Sequence, residues 1–396
     1  MRILQVLTYY RPHTSGLTIY VERLAKALTA RGHEVTVLTS RYHPSLPLEE
    51  RFERLRIVRV PVLLRISKGV IMPTFGWQAT RLVAQHDVIH LHLPQFDAAG
   101  VAVRGRLTQK PTLITYHCDL ALPPSPFNGM VNKVVDFMNH LAAFNAHAIV
   151  SYTQDFVDHS PFLQNYLDKV FVIAPPVELP LAAKEEVQDF AKQYIVDEHG
   201  EERSPVIGMA ARLAAEKGVQ VLLDALPAVL NRFPRALVLF AGQYRDVLSE
   251  GEYYRSLESK LQHYQAQGVW KFLGVLNPQQ MASFYPNLDV LVVPSLNSTE
   301  SFGLVQIEAM MNGVPVIASN LPGVRQPVQM TGMGEIAEVG DAQSLAQALL
   351  RVLSEPSRYT ADPQEIRQRF SPAATAEAYE TLYYNIQRTI TKEIDD

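Results

Sequence analysis

Residues 300–319 read ESFGLVQIEAMMNGVPVIAS, and the reading of this stretch decides the fold of everything around it. PVIAS, at its end, is a short β-branched run behind a glycine, as expected of a buried strand, and LVQIEAMM before it has apolar residues at helical spacing. Glu300 and Glu308 stand eight positions apart around Phe302 and Gly303. Eight positions is close to two helical turns, but Gly303 belongs at the helix start, so Glu300 falls in the loop ahead of it. The two carboxylates then serve different ends of one ligand. Backbone N–H groups from Phe302 to Val305 are available at that helix start to phosphate or sugar hydroxyls, and glycine permits close approach.

Upstream, the strand pattern DVLVVP precedes this stretch, and PVIGMA, a helix from about Val219 to Arg232, ALVLFAG, a helix near Tyr253 to Gln267, and VWKFLG precede that. This is the β-α-β rhythm of a parallel sheet with helices on both faces, whose ligand crevice lies at the carboxyl ends of the strands. Directly after PVIGMA comes ARLAAEKG, which puts Arg212 and Lys217 in a strand-to-helix connection. A guanidinium and an ammonium there suit a diphosphate, the first by forked contact and the second as a point charge.

The same rhythm runs through the N-terminal half as RILQVL, a helix from about Thr18 to Arg31, HEVTVLTS, DVIHLH, TLITYH, HAIVSY and KVFVIA. The loop TYYRPHTSG, which includes Tyr10, His13 and Gly16, opens the first helix; TYHCD puts His117 and Asp119 at a strand end. A charged segment without strand character then intervenes. The expected division is an N-terminal Rossmann-like domain over 1–176, a linker over 177–204, a second Rossmann-like domain over 205–370, and a terminal helix over 371–396 that need not belong to the domain it follows.

The composition of these 396 residues, 47% hydrophobic and 19% charged, is that of a folded globular protein. A formal net charge of -4 provides no global field for nucleic acid. The lone Cys118 fits a reducing compartment, and neither a secretory leader nor a run long enough to span a membrane is legible, so a cytoplasmic location is expected. No Cys pair, His-Glu-x-x-His or Asp-x-Asp loop suggests a metal site, and no cofactor is expected beyond a co-substrate.

Together these motifs resemble family-four retaining glycosyltransferases of the GT-B fold, in which two Rossmann-like domains face each other across a cleft. The resemblance is carried by ESFGLVQIE, RLAAEKG, GVPVIAS, the N-terminal glycine loop and GHEVTVLT. It implies transfer of a hexose from a nucleotide sugar to a glycan, glycolipid or small-molecule acceptor, without a metal. Arg212 and Lys217 would hold the donor diphosphate and Glu308 the ribose. Glu300, Ser301, Phe302, Gly303, Leu304 and Val305 would hold the transferred sugar, with Val275 and Leu276 near the base and Gly16 covering the donor. Glu300, His117, Arg212 and Lys217 are the candidate catalytic residues, and Tyr10, His13, His117 and Asp119 the acceptor side. The family loop often carries Gly-Gly where this chain has Ser15-Gly16. TYHCD and PSLNSTESFG further resemble a bacterial subgroup that transfers mannose or glucose in polysaccharide and glycolipid synthesis. A sugar-nucleotide epimerase, a phosphorylase and a catalytically silent nucleotide-binding protein are alternatives on the same architecture.

Between residues 41 and 81, Arg41, Arg51, Arg54, Arg56, Arg59, Arg65, Lys68 and Arg81 are opposed only by Glu49, Glu50 and Glu53, and apolar residues such as Leu63, Leu64, Ile71 and Trp77 are interleaved. Such a segment is suited to peripheral contact with an anionic membrane.

Overall fold

The computed structural model describes residues 1–66, 69–120, 126–197, 199–247 and 250–395. They form two units, Met1–Val177 with Phe370–Asp396, and Glu178–Arg369.

The strands of the first unit are β1 (Arg2–Val6), β2 (Glu34–Arg41), β3 (Glu49–Phe52), β4 (Leu55–Pro61), β5 (Leu64–Ile66), β6 (Gly69–Ile71), β7 (Val88–Leu93), β8 (Thr112–Tyr116), β9 (Ala148–Ser151) and β10 (Val170–Val172). The main sheet has the order β10-β9-β8-β7-β1-β2-β4-β3, and β5 and β6 form a separate hairpin. Pairing in the main sheet is parallel apart from β3 against β4. VIHLHL and TLITY are buried along their whole length, as central strands covered on both faces must be. The connecting helices are α1 (Gly16–Ala30), α2 (Phe75–Gln85), α3 (Ala98–Leu107), α4 (Pro126–Asn145) and α5 (Gln154–His159). On one face Leu91, Leu93 and Ile114 pack with Ala99 and Ala102 of α3 and Ala142 and Ala143 of α4, whose small side chains let the helices lie close to the sheet. Strand order reverses between β7 and β1, which makes the carboxyl ends of those two strands the crevice of this unit.

In the second unit, α6 (Lys184–Tyr194) precedes β11 (Val206–Ala210), α7 (Val219–Arg232), β12 (Leu237–Ala241), α8 (Gly251–Ala266), β13 (Trp270–Gly274), α9 (Pro278–Phe284) and β14 (Val290–Val293). There follow α10 (Leu304–Met310), β15 (Val316–Ser319), α11 (Gln326–Thr331), β16 (Gly334–Ala337), α12 (Ala342–Ser354) and α13 (Pro363–Arg369). The sheet, parallel throughout its named pairs, has the order β13-β12-β11-β14-β15-β16 and reverses between β11 and β14.

One boundary differs from the expectation, and the terminal helix takes the placement that the sequence left open. Segment 177–204, expected as a linker, falls in the second unit from Glu178 onward: Phe190 of α6 is buried with its ring 6.2 Å from that of Phe284, and Asn287 donates to the Val187 carbonyl at 3.0 Å. Its charges lie on the solvent side of an amphipathic helix, so composition suggested a linker where periodicity described an element. The terminal helix α14 (Pro372–Asp395) belongs to the first unit, where it packs beside α1. Ser371 caps it by accepting from the Ala374 N–H at 3.2 Å.

Beneath α1 and α14 the sheet carries a buried polar layer. The Tyr383 hydroxyl meets His90 Nδ1 at 2.8 Å, His90 Nε2 meets Thr115 Oγ1 at 2.7 Å, and Thr115 Oγ1 meets the Tyr379 hydroxyl at 2.6 Å. Tyr379 continues to the Tyr20 hydroxyl of α1 at 2.6 Å. Burial holds both His90 and His117 down to about 3, so both are neutral.

Candidate active site

The two C-terminal motifs follow the two strands that flank the reversal of strand order, β11 and β14, and this alone brings residues more than 80 positions apart to one crevice. Two contacts join these loops, and another ties the loop after β11 to the connection after β12. The Leu296 N–H donates to the Glu216 carbonyl at 2.9 Å, and the Ala215 N–H donates to buried Glu250 Oε2 at 3.0 Å. Gly218 stands at φ 68°, where a Cβ would lie 1.9 Å from the Pro294 carbonyl oxygen, so only glycine permits the crossing.

Across this junction Lys217 Nζ donates to Glu300 Oε2 at 2.5 Å, both side chains being about one-fifth exposed. Arg212 contacts Glu216 Oε1 at 3.3 Å and keeps 41% of its side chain exposed. Two cations at a strand's carboxyl end, each beside a carboxylate and one of them half-exposed, have the chemistry to meet an anionic ligand.

Glu300 lies ahead of α10, as its position before Gly303 predicts, held by an N–H bond to the Asn297 carbonyl at 3.2 Å. Gly303 is the N-cap at φ 78°, with Leu304 and Val305 in the first turn. Ser301 and Phe302 are buried beneath the loop. Glu308 is buried on α10 and accepts from the Tyr285 hydroxyl at 2.8 Å. Val275 and Leu276 follow β13 at the same edge, Val275 largely exposed and Leu276 half-buried.

Gln306 was not expected to take part. It is fully buried; its Nε2 donates to the carbonyls of Phe302 at 2.6 Å and Val324 at 2.9 Å, which joins the loop after β14 to the loop after β15. Tyr285 and Glu250 were missed as well. A hydrogen bond between distant positions leaves no period or spacing in a sequence, so no signal pointed to these three.

In the first unit several expectations are modified. Tyr10 is buried at 2% exposure, so it is a core residue where an acceptor contact was expected. His117 is buried, and its ring engages His92 Nδ1 at 3.0 Å through Nε2 and the Tyr152 hydroxyl through Nδ1. The nitrogens expected to face a sugar hydroxyl are thus bound within the polar layer. Asp119 accepts from the Tyr116 hydroxyl at 2.9 Å and Ser160 Oγ at 2.7 Å, and burial raises its pKa. His13 is half-buried, stacked on Tyr9 with centroids 5.0 Å apart. Ser15 explains the departure from Gly-Gly: it is extended, at φ -151°, and its side chain caps α1 by accepting from the Thr18 N–H at 3.2 Å. Position 15 needs no glycine there. Gly16 is exposed at the first position of α1.

The basic stretch is divided. Arg56 and Arg51 pair with Glu49, and buried Arg59 pairs with Glu50. Arg54 and Arg56 lie at the amino-terminal end of β4 and Arg65 beyond its carboxyl end, about 20 Å of strand apart. Lys68 lies outside the described residues. Among the described residues no helix is long and apolar enough to cross a membrane.

The family described as "Glycosyl transferases group 1" matches residues 192–376, and "Glycosyl transferase 4-like domain" matches residues 15–176. The chain is 26% identical to the phosphatidyl-myo-inositol mannosyltransferase of Mycolicibacterium smegmatis, covering 90% of this chain and 85% of that one. It is 27% identical to the D-inositol 3-phosphate glycosyltransferase of Corynebacterium aurimucosum, with 93% and 90% covered. Among solved structures it superposes on the sucrose-phosphate synthase of Thermosynechococcus elongatus with TM-score 0.76 at 22% identity, covering 98% and 99% of the two chains. Anabaena HepE in complex with UDP and glucose gives TM-score 0.76 at 20% identity, with 96% and 99% covered. With its two parallel-sheet units, the crevice between β11 and β14 and these likenesses along nearly its whole length, the chain is a glycosyltransferase of the GT-B fold, built from a glycosyltransferase 4-like domain over residues 15–176 and a group 1 glycosyltransferase domain over residues 192–376.

Proposed function

We propose that the enzyme transfers a hexose from a nucleotide sugar, with retention of anomeric configuration and without a metal, to an acceptor bound by the first unit. The Lys217–Glu300 pair at the reversal of strand order carries this reading. A diphosphate seated at the carboxyl end of β11 meets the Lys217 ammonium and the exposed Arg212 guanidinium, which stabilise the charge that grows as the nucleoside diphosphate leaves. These two cations supply the neutralisation that a divalent ion would otherwise provide. Glu300, fixed against Lys217, faces the transferred sugar, and Glu308, oriented by Tyr285, takes the ribose hydroxyls. The acceptor hydroxyl attacks from the face the leaving group departs, and a donor phosphate oxygen takes its proton, so positioning supplies most of the acceleration. His117 acts through its place in the polar layer.

The names of the mannosyltransferase and D-inositol 3-phosphate glycosyltransferase relatives favour a polyol or lipid-linked acceptor. Such an acceptor is compatible with peripheral attachment to the cytoplasmic face of a membrane. The surface suited to it is the hairpin side of the first unit, where Leu63, Leu64 and Ile71 are exposed beside Arg65.

The test is a thermal-shift panel of nucleotide sugars with and without EDTA, followed by NMR of the product anomer. One donor should raise Tm and support turnover unaffected by EDTA, with retention. A strict divalent-ion requirement or an inverted product would overturn the corresponding part of the proposal.

A further inference from the structure

We infer that a cavity at the carboxyl ends of β2 and β4 is the subsite for the phosphate group of an amphiphilic, lipid-linked acceptor. The inference rests on the reading that the first unit binds the acceptor. β2 and β4 end on Arg41 and Pro61, which are register partners, and the cavity of about 360 Å³ opens there, lined by Arg41, Tyr42, Pro61, Val62, Leu64 and Arg65.

Both guanidinium groups are held in place without being neutralised. Arg41 donates from Nε to the Leu46 carbonyl at 2.6 Å and from Nη2 to the Pro44 carbonyl at 2.5 Å, and Arg65 Nη2 donates to the Tyr42 carbonyl. These bonds tie both cations to the loop after β2, and among the described residues no carboxylate pairs with either. The contrast is with Arg51 and Arg56, which share Glu49, and Arg59, which pairs with Glu50. Two unpaired guanidinium groups lining one cavity suit a phosphate, which accepts their forked donors.

The rest of the surface is apolar and outward-facing. Leu63 is 75% exposed, Leu64 53% and Ile71 42%. The Leu63 N–H donates to the Ile71 carbonyl at 2.9 Å, and Leu64 is the register partner of Ile71, so these residues share one hairpin at the rim. Anionic head and apolar rim together match a single phospholipid-like molecule; an apolar protein partner would have no use for the cations. Tyr42 links the cavity to the crevice of this unit, its ring lying 5.6 Å from Tyr9 and 5.9 Å from His13, both in the loop after β1. A head group seated on Arg41 and Arg65 therefore extends toward the reversal between β1 and β7.

Titration calorimetry of the full chain tests this with dihexanoylphosphatidic acid, dihexanoylphosphatidylcholine and inorganic phosphate as probes. The phosphatidic acid should bind best, in a salt-sensitive way. Arg65→Gln and Leu64→Ser, both changes at exposed positions, should each weaken it about tenfold or more. Equal affinity for phosphatidylcholine, or unchanged affinity in Arg65→Gln, overturns the inference. Inorganic phosphate binding as tightly as phosphatidic acid overturns the lipid assignment in favour of a soluble phosphorylated acceptor. Tm with UDP or GDP is measured on the same preparation. Nucleotide binding without phosphatidic acid binding sinks the subsite alone, whereas absence of nucleotide binding counts against the proposed donor chemistry itself.

Discussion

Lys217 and Glu300 form a contact that neither motif contains by itself, and the pair is the sharpest test of the donor site. Lys217→Ala and Arg212→Ala should each lower kcat/KM by about 2–4 kcal/mol of transition-state stabilisation. Glu300→Gln should lower turnover strongly with the fold intact, and Glu308→Gln should act mainly on donor affinity. Steady-state kinetics on variants of unchanged Tm check all four, and wild-type constants in both glutamate variants would remove the proposed roles. Gln306→Met keeps side-chain length but leaves the buried Phe302 and Val324 carbonyls without their donor, at a cost of about 1–3 kcal/mol. Donor KM should rise along with the fall in Tm. A fall in Tm at unchanged KM would make the residue purely structural.

At the scale of elements, the loops after β11 and β14 behave as one body because Gly218 lets the first pass over Pro294. Gly218→Ala adds a Cβ at φ 68° and a collision with backbone, so a loss of at least about 1–3 kcal/mol is expected. Because the collision separates Lys217 from Glu300, nucleotide stabilisation in a thermal-shift assay should fall with it; full retention would show that the crossing is not needed for the seat. Ser15→Ala removes the cap of α1 and should cost about 1 kcal/mol. Ser15→Gly should cost only a few tenths, which a pair of denaturant titrations resolves.

For the whole molecule, the polar layer under α14 predicts how stability follows pH. In the unfolded chain His90, His92 and His117 titrate near 6.5; in the fold, burial holds His90 and His117 to about 3 and His92 well below its ordinary value. Between about 3 and 6.5 the unfolded state binds protons that the folded state does not, so stability falls as pH drops through that window. The slope is about 1.4 kcal/mol per pH unit for each imidazole. Asp97, raised by burial to about 6, acts in the opposite sense between about 4 and 6, because there the folded state keeps a proton the unfolded carboxyl releases. Asp119, also raised by burial, acts in the same sense as Asp97, and the three imidazoles outweigh the two carboxyls. Tm should therefore drop on acidification below about 6.5, and less steeply in His90→Gln; an unchanged slope in that variant would locate the acid sensitivity elsewhere.

Local pattern was enough for the two parallel sheets, for helix starts such as Gly303, for Arg212, Lys217 and Glu300 in the loops that follow strands, and for Glu308 on the helix behind Gly303, because hydrophobic period and glycine position act within a few residues. Segment 177–204 reads as a linker and the strands between residues 49 and 71 leave no legible pattern for the opposite reason: their charges report the solvent face, while one buried Phe190 or a hairpin partner decides the structure. The burial of Tyr10, the engagement of both His117 nitrogens, the Gln306 bridge to Val324 and the pairing of Arg56 with Glu49 and of Arg59 with Glu50 were decided by tertiary structure alone. Each depends on which distant group the sheet order brings within about 3 Å, and a hydrogen bond formed at that range is not encoded by any spacing along the chain.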